Sequence, residues 1–498
     1  MQTYFPASPV RALFFLACAF LCACGAPPPT ERSAIPAATT SSLATVHPPF
    51  ALNMLEYDIA KPEPTPAVSP SEAPSARALR LVAEATDRCA SVTFSDDGFV
   101  RKGERLVARP AALCAWSERT HTWHTVFVRI PFFSKADWSR PKEWREAQFV
   151  VEVLTPGEYQ VSRVEGSGFG PSRLAFDVSF RGEHLTVYRV RHVWFDRAAF
   201  ESGLASRMLA ARATIDLTPL HPDFHGIGLP DIAIDWLFGE VAAIRAELDL
   251  REVSSSAFRT ERITEVIPAT LLFSIPLIEH IDQETYMGTA TCNKEPTCVS
   301  AAQHRAIEGA LIVYALNRET GNRFSVSSSG AIGAWQFMNS KRNPTYDAVV
   351  RSCPSAAIDP SFPEGAQTFH NGGKAAMCLL DLNLGYLPEV HTLFRRNPVL
   401  GGIYLLAAYN GGPRAAHALF REVHQKHPDV EAEDIVLPSV LRVGKGATAK
   451  SLRPRAGSHK KRTSYTALAA RLNGETPGYA HKFLTLLEYL ALRDAARE

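Results

Sequence analysis

Two glutamates stand where a general acid can be built. Glu279 ends the apolar run "IPLIEHID", and Glu319 follows a second apolar run in "LNRETGNRFSVSSSGAIG". A carboxyl group protonates a glycosidic oxygen best when it stays neutral at working pH, and burial among apolar side chains achieves this by penalising the charged form. Such an acid needs a polar surface opposite it that can hydrogen-bond sugar. The stretch "SVSSSGAIGAWQFMNS", Ser325 to Ser340, offers one: small polar residues first, then an anchor of Trp335, Gln336, Phe337 and Met338. Trp335, Phe337 and Met338 read as core anchors rather than sugar platforms. Gln336 is polar within that apolar set, so it must face a cleft or bond buried backbone.

The elements that would position these groups divide the chain in two. Residues 76–255 alternate apolar and polar in short runs, "HTVFVRIPFF", "AQFVVEVLTP", "RLAFDVSF" and "LTVYRVRHVWF", which is the period of strands. A helix or two, such as "AAFESGLASRMLAARA", interrupts them. No nucleotide loop, metal spacing or nucleophile elbow is present in this half, and "VEGSGFGPS" reads as a turn rather than a phosphate cradle. From about residue 256 the apolar spacing changes to three and four, in "TERITEVIPATLLFSIPLIEHID", "AAQHRAIEGALIVYALNRE", "GGKAAMCLLDLNLGYL", "PVLGGIYLLAAYN", "PRAAHALFREVHQ" and "PGYAHKFLTLLEYLALRDAA". The expected fold class is α+β: a strand-rich accessory domain over 76–255, then a mainly helical domain over 256–498.

Four marks in the helical half, in order, resemble the catalytic domain of membrane-bound lytic murein transglycosylases, a fold shared with goose-type lysozyme. "VIPATLLFSIPLIEH" is similar to the family's Ile-Pro helix ending in Pro-Leu-(Ile/Val)-Glu. "SVSSSGAIGAWQFM" is similar to its Ser-x-x-Gly-Ala-x-Gly strip, "AAYNGGP" to its Ala-Tyr-Asn-x-Gly element, and "GETPGYAHKFL" to its closing Glu-Thr-x-x-Tyr-Val helix. The resemblance covers about 265–490. It implies a lysozyme-like domain that cleaves the β-1,4 bond between N-acetylmuramic acid and N-acetylglucosamine in peptidoglycan glycan strands. One glutamate acts as acid and then as base while the muramoyl 6-hydroxyl attacks its own C1, giving a 1,6-anhydro product. The two-carboxylate scheme of most glycosidases is then not required, and neither cofactor nor metal is implied. Ser327 and Ser329 would belong to a turn whose small side chains let sugar approach. Gln336, Tyr409, Asn410 and Tyr479 would line the sugar site. A hydrolytic muramidase and a non-catalytic peptidoglycan-binding lipoprotein are the alternatives.

The spacing departs from the family, whose acid lies about a dozen residues before Gly-Ala-x-Gly and is followed by Ser. Glu279 sits on the matching helix, but Gly330 is 51 residues later and His280 replaces the Ser. Glu319 has the matching distance, 11 residues to Gly330, and Thr320 keeps a hydroxyl, but its helix lacks the Ile-Pro mark. Both remain candidates for the acid, Glu279 first. A second departure is the long basic segment 437–474, where the family has a shorter connection.

The rest bounds the setting. The chain has 498 residues, 46% apolar and 21% charged, with a net charge of +2, which argues against a nucleic-acid binder. Arg11 precedes an apolar run, "ALFFLACAFLCAC", too short to span a bilayer and suited to a signal peptide. Leu21-Cys22-Ala23-Cys24 resembles the bacterial lipobox. It implies a signal peptide over 1–23, acylation at Cys24, and, since Gly25 rather than Asp follows, an outer-membrane anchor facing the periplasm. Residues 24–75, rich in Pro, Ala and Ser, read as an extended tether. Export into an oxidising compartment leaves six further cysteines, which pair by neighbourhood as Cys89–Cys114, Cys292–Cys298 and Cys353–Cys378.

Overall fold

The computed structural model describes residues 72–287, 296–327, 329–426 and 475–497. The leader, Cys24, the tether as far as residue 71, Cys292 and the basic segment 437–474 lie outside the described residues. The architecture is a mixture of helix and sheet. Helix α1 (Pro74–Ala90) opens with proline in its first turn, where the missing N–H costs nothing. Its buried residues Ala78, Leu81, Val82, Ala85 and Cys89 recur at helical spacing and face the sheet.

The sheet is antiparallel and eight-stranded. In chain order its strands are β1 (Val100–Lys102), β2 (Arg105–Ser117), β3 (Thr122–Pro131), β4 (Glu152–Val153), β5 (Tyr159–Arg163), β6 (Phe176–Phe180), β7 (Glu183–Phe195) and β8 (Arg212–Leu217). They lie in the order β4-β3-β2-β7-β6-β5, with β1 added to β2 and β8 to β7. The period of two sorts β2 cleanly. Ala111, Leu113 and Ala115 join Val126, Val128 and Val187 on one face, while Cys114 and Trp116 turn to α1 and the helices. Arg181 and Gly182, both at positive φ, form the two-residue turn between β6 and β7.

One strand expectation changes, and one strand, β2, is not among those expected. "AQFVVEVLTP" contributes only the short edge strand β4, because Ala147 and Gln148 complete a helix, Lys142–Gln148, that starts after Pro141. Strand β2 carries Pro110 and an alanine-rich run that hides its strand character. Pro110 is tolerated because its pairing is with Arg129 of β3, and pairing with β7 begins only at Ala111.

The helical body contains α2 (Leu229–Leu250), α3 (Ala269–Ile278), α4 (Pro296–Asn317), α5 (Phe369–Gly385), α6 (Pro398–Lys426) and α7 (Glu475–Arg497). Helix α6 is broken at Gly412, which adopts φ 77° and ψ 168°. Helix α2 falls inside the segment expected to be a separate strand-rich domain, yet it packs against α3, α4 and α5. Sheet and helices share one core: Leu81, Trp116 and Tyr188 belong to the same buried cluster as Leu237, Ile278 and Phe483. Asn317, at the end of α4, exchanges two hydrogen bonds of 2.8 Å with the backbone of Thr218, just after β8. Disulfides join Cys89 to Cys114 and Cys353 to Cys378, as expected from neighbourhood. Cys298 is also disulfide-bonded.

Candidate functional site

Helix α3 is almost wholly apolar and buried, and Glu279 is its C-cap. Pro268 caps the start and Pro276 sits inside, where its lone carbonyl accepts from Tyr314 Oη at 3.2 Å. The Glu279 side chain emerges half-buried among aromatic hydroxyls. Tyr479, from α7, donates its hydroxyl to Glu279 Oε1 at 3.0 Å. Burial pushes the Tyr479 and Tyr409 phenols well above their ordinary pKa, and the Glu279 charge adds to it in both. Both phenols therefore remain protonated donors through the physiological range. Tyr314, fully buried, is raised for the same two reasons.

The strip is pinned to the core by Trp335. Its ring is fully buried, its indole N–H donates to Phe369 O at 2.7 Å, and its edge fills a notch where α5 carries Gly372 and Gly373. A Cβ on Gly372 would lie 2.4 Å from Trp335 Cδ1, so only glycine admits the ring. Tyr409 Oη donates to the backbone carbonyl of Trp335 at 2.7 Å, which ties α6 to the strip. Phe337 is likewise core; Met338 is half-buried.

Ahead of the anchor the strip folds as two tight turns closed by bridges between Val326 and Ile332 and between Ile332 and Phe337. Ser327 holds the first turn: its amide donates to Ala331 O, and its hydroxyl accepts from the Ala331 amide, each at 2.9 Å. Gly330 and Gly333 take the positive φ that these turns require. Gln336, also at positive φ, turns its side-chain amide back onto Gly333 O at 2.7 Å, so it bonds backbone. Ser329 is exposed at the tip, and Asn410 is half-buried beside Tyr409.

The irregular spacing has a physical explanation. Helix α4 lies between Glu279 and the strip in the chain, and it returns the chain to the site. Its end is fixed by the Asn317–Thr218 pair, and the strip then docks on the residue next to Glu279. His280, buried, donates Nε2–H to Ala334 O at 3.1 Å. Burial, helped by the Arg173 charge, lowers its pKa to about 3, so the ring is neutral. His280 thus does in space what sequence proximity does not.

Glu319 is placed differently. It is exposed in the single turn Arg318–Thr320 after α4, and makes no hydrogen bond or ion pair among the described residues. The structure thus brings Glu279, Tyr409, Tyr479 and the strip together and leaves Glu319 outside.

Three groups escaped the sequence. Arg173, just before β6, donates to the carbonyl of His280 and to Asp282 Oδ2, the latter at 2.6 Å. Lys482 of α7 donates to Ile281 O at 3.2 Å. The two cations cap the C-terminal turn of α3, where a helix leaves carbonyls unsatisfied and partial negative charge accumulates. Tyr314 is the third. None has a local signal, since each acts across 38 or more residues.

Among the described residues no group of His, Cys, Asp and Glu could hold a metal ion, and no helix is long and apolar enough to cross a membrane. No family model, curated protein or solved structure matches the chain.

Proposed function

We propose that this protein is a peptidoglycan lytic transglycosylase, with Glu279 as its single acid and base in a lysozyme-like helical domain. The observation that carries the reading is the hydrogen bond from Tyr479 to Glu279, beside a strip that Tyr409 and His280 hold in place. The Glu279 carboxyl gives its proton to the glycosidic oxygen as the C1–O bond breaks, and N-acetylglucosamine leaves with a free 4-hydroxyl. The carboxylate then takes the proton of the muramoyl 6-hydroxyl while that oxygen bonds to C1. No water is consumed and the acid is restored. Protonated Tyr479 supplies a fixed donor to the charge that alternates on Glu279, which is the arrangement that electrostatic catalysis requires, while the Tyr409 hydroxyl is committed to the Trp335 carbonyl and holds the strip. The lipobox-like leader places the enzyme on the outer membrane through Cys24, with the tether giving it reach to the glycan.

Purified sacculi test the reading. Glu279→Gln should release no fragments, Glu319→Gln should release them at the wild-type rate, and the wild-type products should have the mass of anhydro species. Full activity in Glu279→Gln removes it as the acid. Products heavier by one water make the enzyme a muramidase, and binding of sacculi with no release leaves a peptidoglycan-binding lipoprotein.

A further inference from the structure

The strand-rich region meets the Glu279 turn through Arg173, and the chain leading to Arg173 carries a patch that the proposed reaction does not use. Trp138 and Phe133 pack on Phe169, and Trp144 packs on Phe133, with ring centroids 6.3 Å apart for Trp138–Phe169, 5.6 Å for Phe133–Phe169 and 6.1 Å for Phe133–Trp144. Two of these rings are partly uncovered, Trp138 at 40% and Trp144 at 37% exposure. Arg145 lies over the Trp138 ring at 5.0 Å and over Phe169 at 5.6 Å. It donates to the backbone carbonyls of Trp138 and Arg140 at 2.9 and 2.6 Å, and no carboxylate pairs with it among the described residues. Exposed indoles beside a guanidinium with no acid partner suit a ligand that has apolar C–H faces and negative charge.

The patch adjoins the site. Phe169 precedes Arg173 by four residues, and Arg173 holds Asp282 and the carbonyl of His280. Lys142, at the start of the helix that carries Trp144 and Arg145, acts by its charge on the same Asp282, three residues past Glu279. A glycan strand in the site is long, is built of rings with C–H faces, and bears carboxylates on its lactyl groups and peptides. We propose that Trp138, Trp144 and Arg145 form a glycan-binding platform that extends the Glu279 site onto the strand-rich region. Pyranose faces stack on the indoles and strand carboxylates meet Arg145. The identity of the strand rests on the transglycosylase reading.

The test is equilibrium binding of the full chain to purified sacculi. The Trp138→Ala/Trp144→Ala double variant should bind about tenfold more weakly, equivalent to about 1.4 kcal/mol. Both rings are more than half covered, so the alanine variant should unfold at a somewhat lower temperature, and circular dichroism should show that it keeps the native fold at the temperature of the binding assay. Arg145→Gln should weaken binding and reduce its salt dependence. Tyrosine at both tryptophan positions should restore most of the affinity. Wild-type binding by the folded alanine variant overturns the platform, as does failure of the tyrosine variant to recover binding. If the wild type releases no fragments while the patch variants lose binding, the platform stands and the catalytic reading falls. If the wild type releases anhydro fragments while the patch variants bind normally, the catalytic reading stands and the platform falls.

Discussion

Gly372→Ala separates the positioning of the site from the stability of the fold. The new Cβ would lie 2.4 Å from Trp335 Cδ1, 3.1 Å from its Nε1 and 3.2 Å from Ala366 O. Carbon atoms rest about 3.5 Å apart or more, so the ring must retreat by about 1 Å. The ring also lies close over Gly373, where an added Cβ would be 3.0 Å from Trp335 Cζ2. Overpacking of this kind costs about 1–3 kcal/mol. Alanine returns about 1 kcal/mol of helix propensity over glycine, so the net destabilisation is about 0–2 kcal/mol. The rate should suffer more. The Trp335 backbone carries the carbonyl that Tyr409 bonds and the strip that His280 bonds, and a displacement of about 1 Å at a catalytic constellation costs up to about a hundredfold. Fragment release from sacculi and urea unfolding should be measured on the same protein. Gly385→Ala is the control, since that Cβ finds no atom closer than 3.8 Å in the same helix. A folded Gly372→Ala protein with the wild-type rate would refute the role given to the Trp335 pin, as would an equal loss in the control.

Tyr479→Phe removes the hydrogen bond to Glu279 while keeping the buried ring; a bond to a charged group is worth about 1.5–3 kcal/mol, so release should slow by about 10- to 150-fold with little change in melting temperature. His280 is held neutral with its pKa near 3, against 6.5 when unfolded. Its depressed value favours the fold fully above pH 6.5 and less as pH falls toward 3, at up to about 1.4 kcal/mol per pH unit. His280→Asn should flatten that part of the pH–stability curve, measured by urea unfolding from pH 7 to pH 4. Reducing Cys353–Cys378, which spans 25 residues, should cost about 3.5 kcal/mol on chain-entropy grounds, read as a lower urea midpoint in Cys353→Ser/Cys378→Ser.

Local periodicity made the helices and most of the long strands legible, because both are imposed residue by residue. The letters around Glu279, Trp335, Tyr409 and Tyr479 were also legible, but not which glutamate meets them. That depends on where α4 returns the chain, and the return is fixed by the pairing of Asn317 with Thr218, 99 residues away. Spacing favoured Glu319, and only tertiary placement leaves it in solvent. Arg173 and Lys482 were invisible because a cation that caps a helix from another element needs no pattern of its own. β2 was obscured by Pro110, whose cost depends on which neighbour pairs at that one register.

The shared core has a practical corollary for dissecting the protein. Helix α2 is written in the strand-rich half of the chain but supplies Leu237, Val241 and Ile244 to the wall on which α3, α4 and α5 rest. A fragment begun at residue 256 would lose that wall and lay bare the inner sides of the helices that carry Glu279 and the Trp335 notch. The two halves are thus not exchangeable modules. Any lineage that grafted this helical body onto another partner would have to carry α2 with it and find a new cation to replace Arg173.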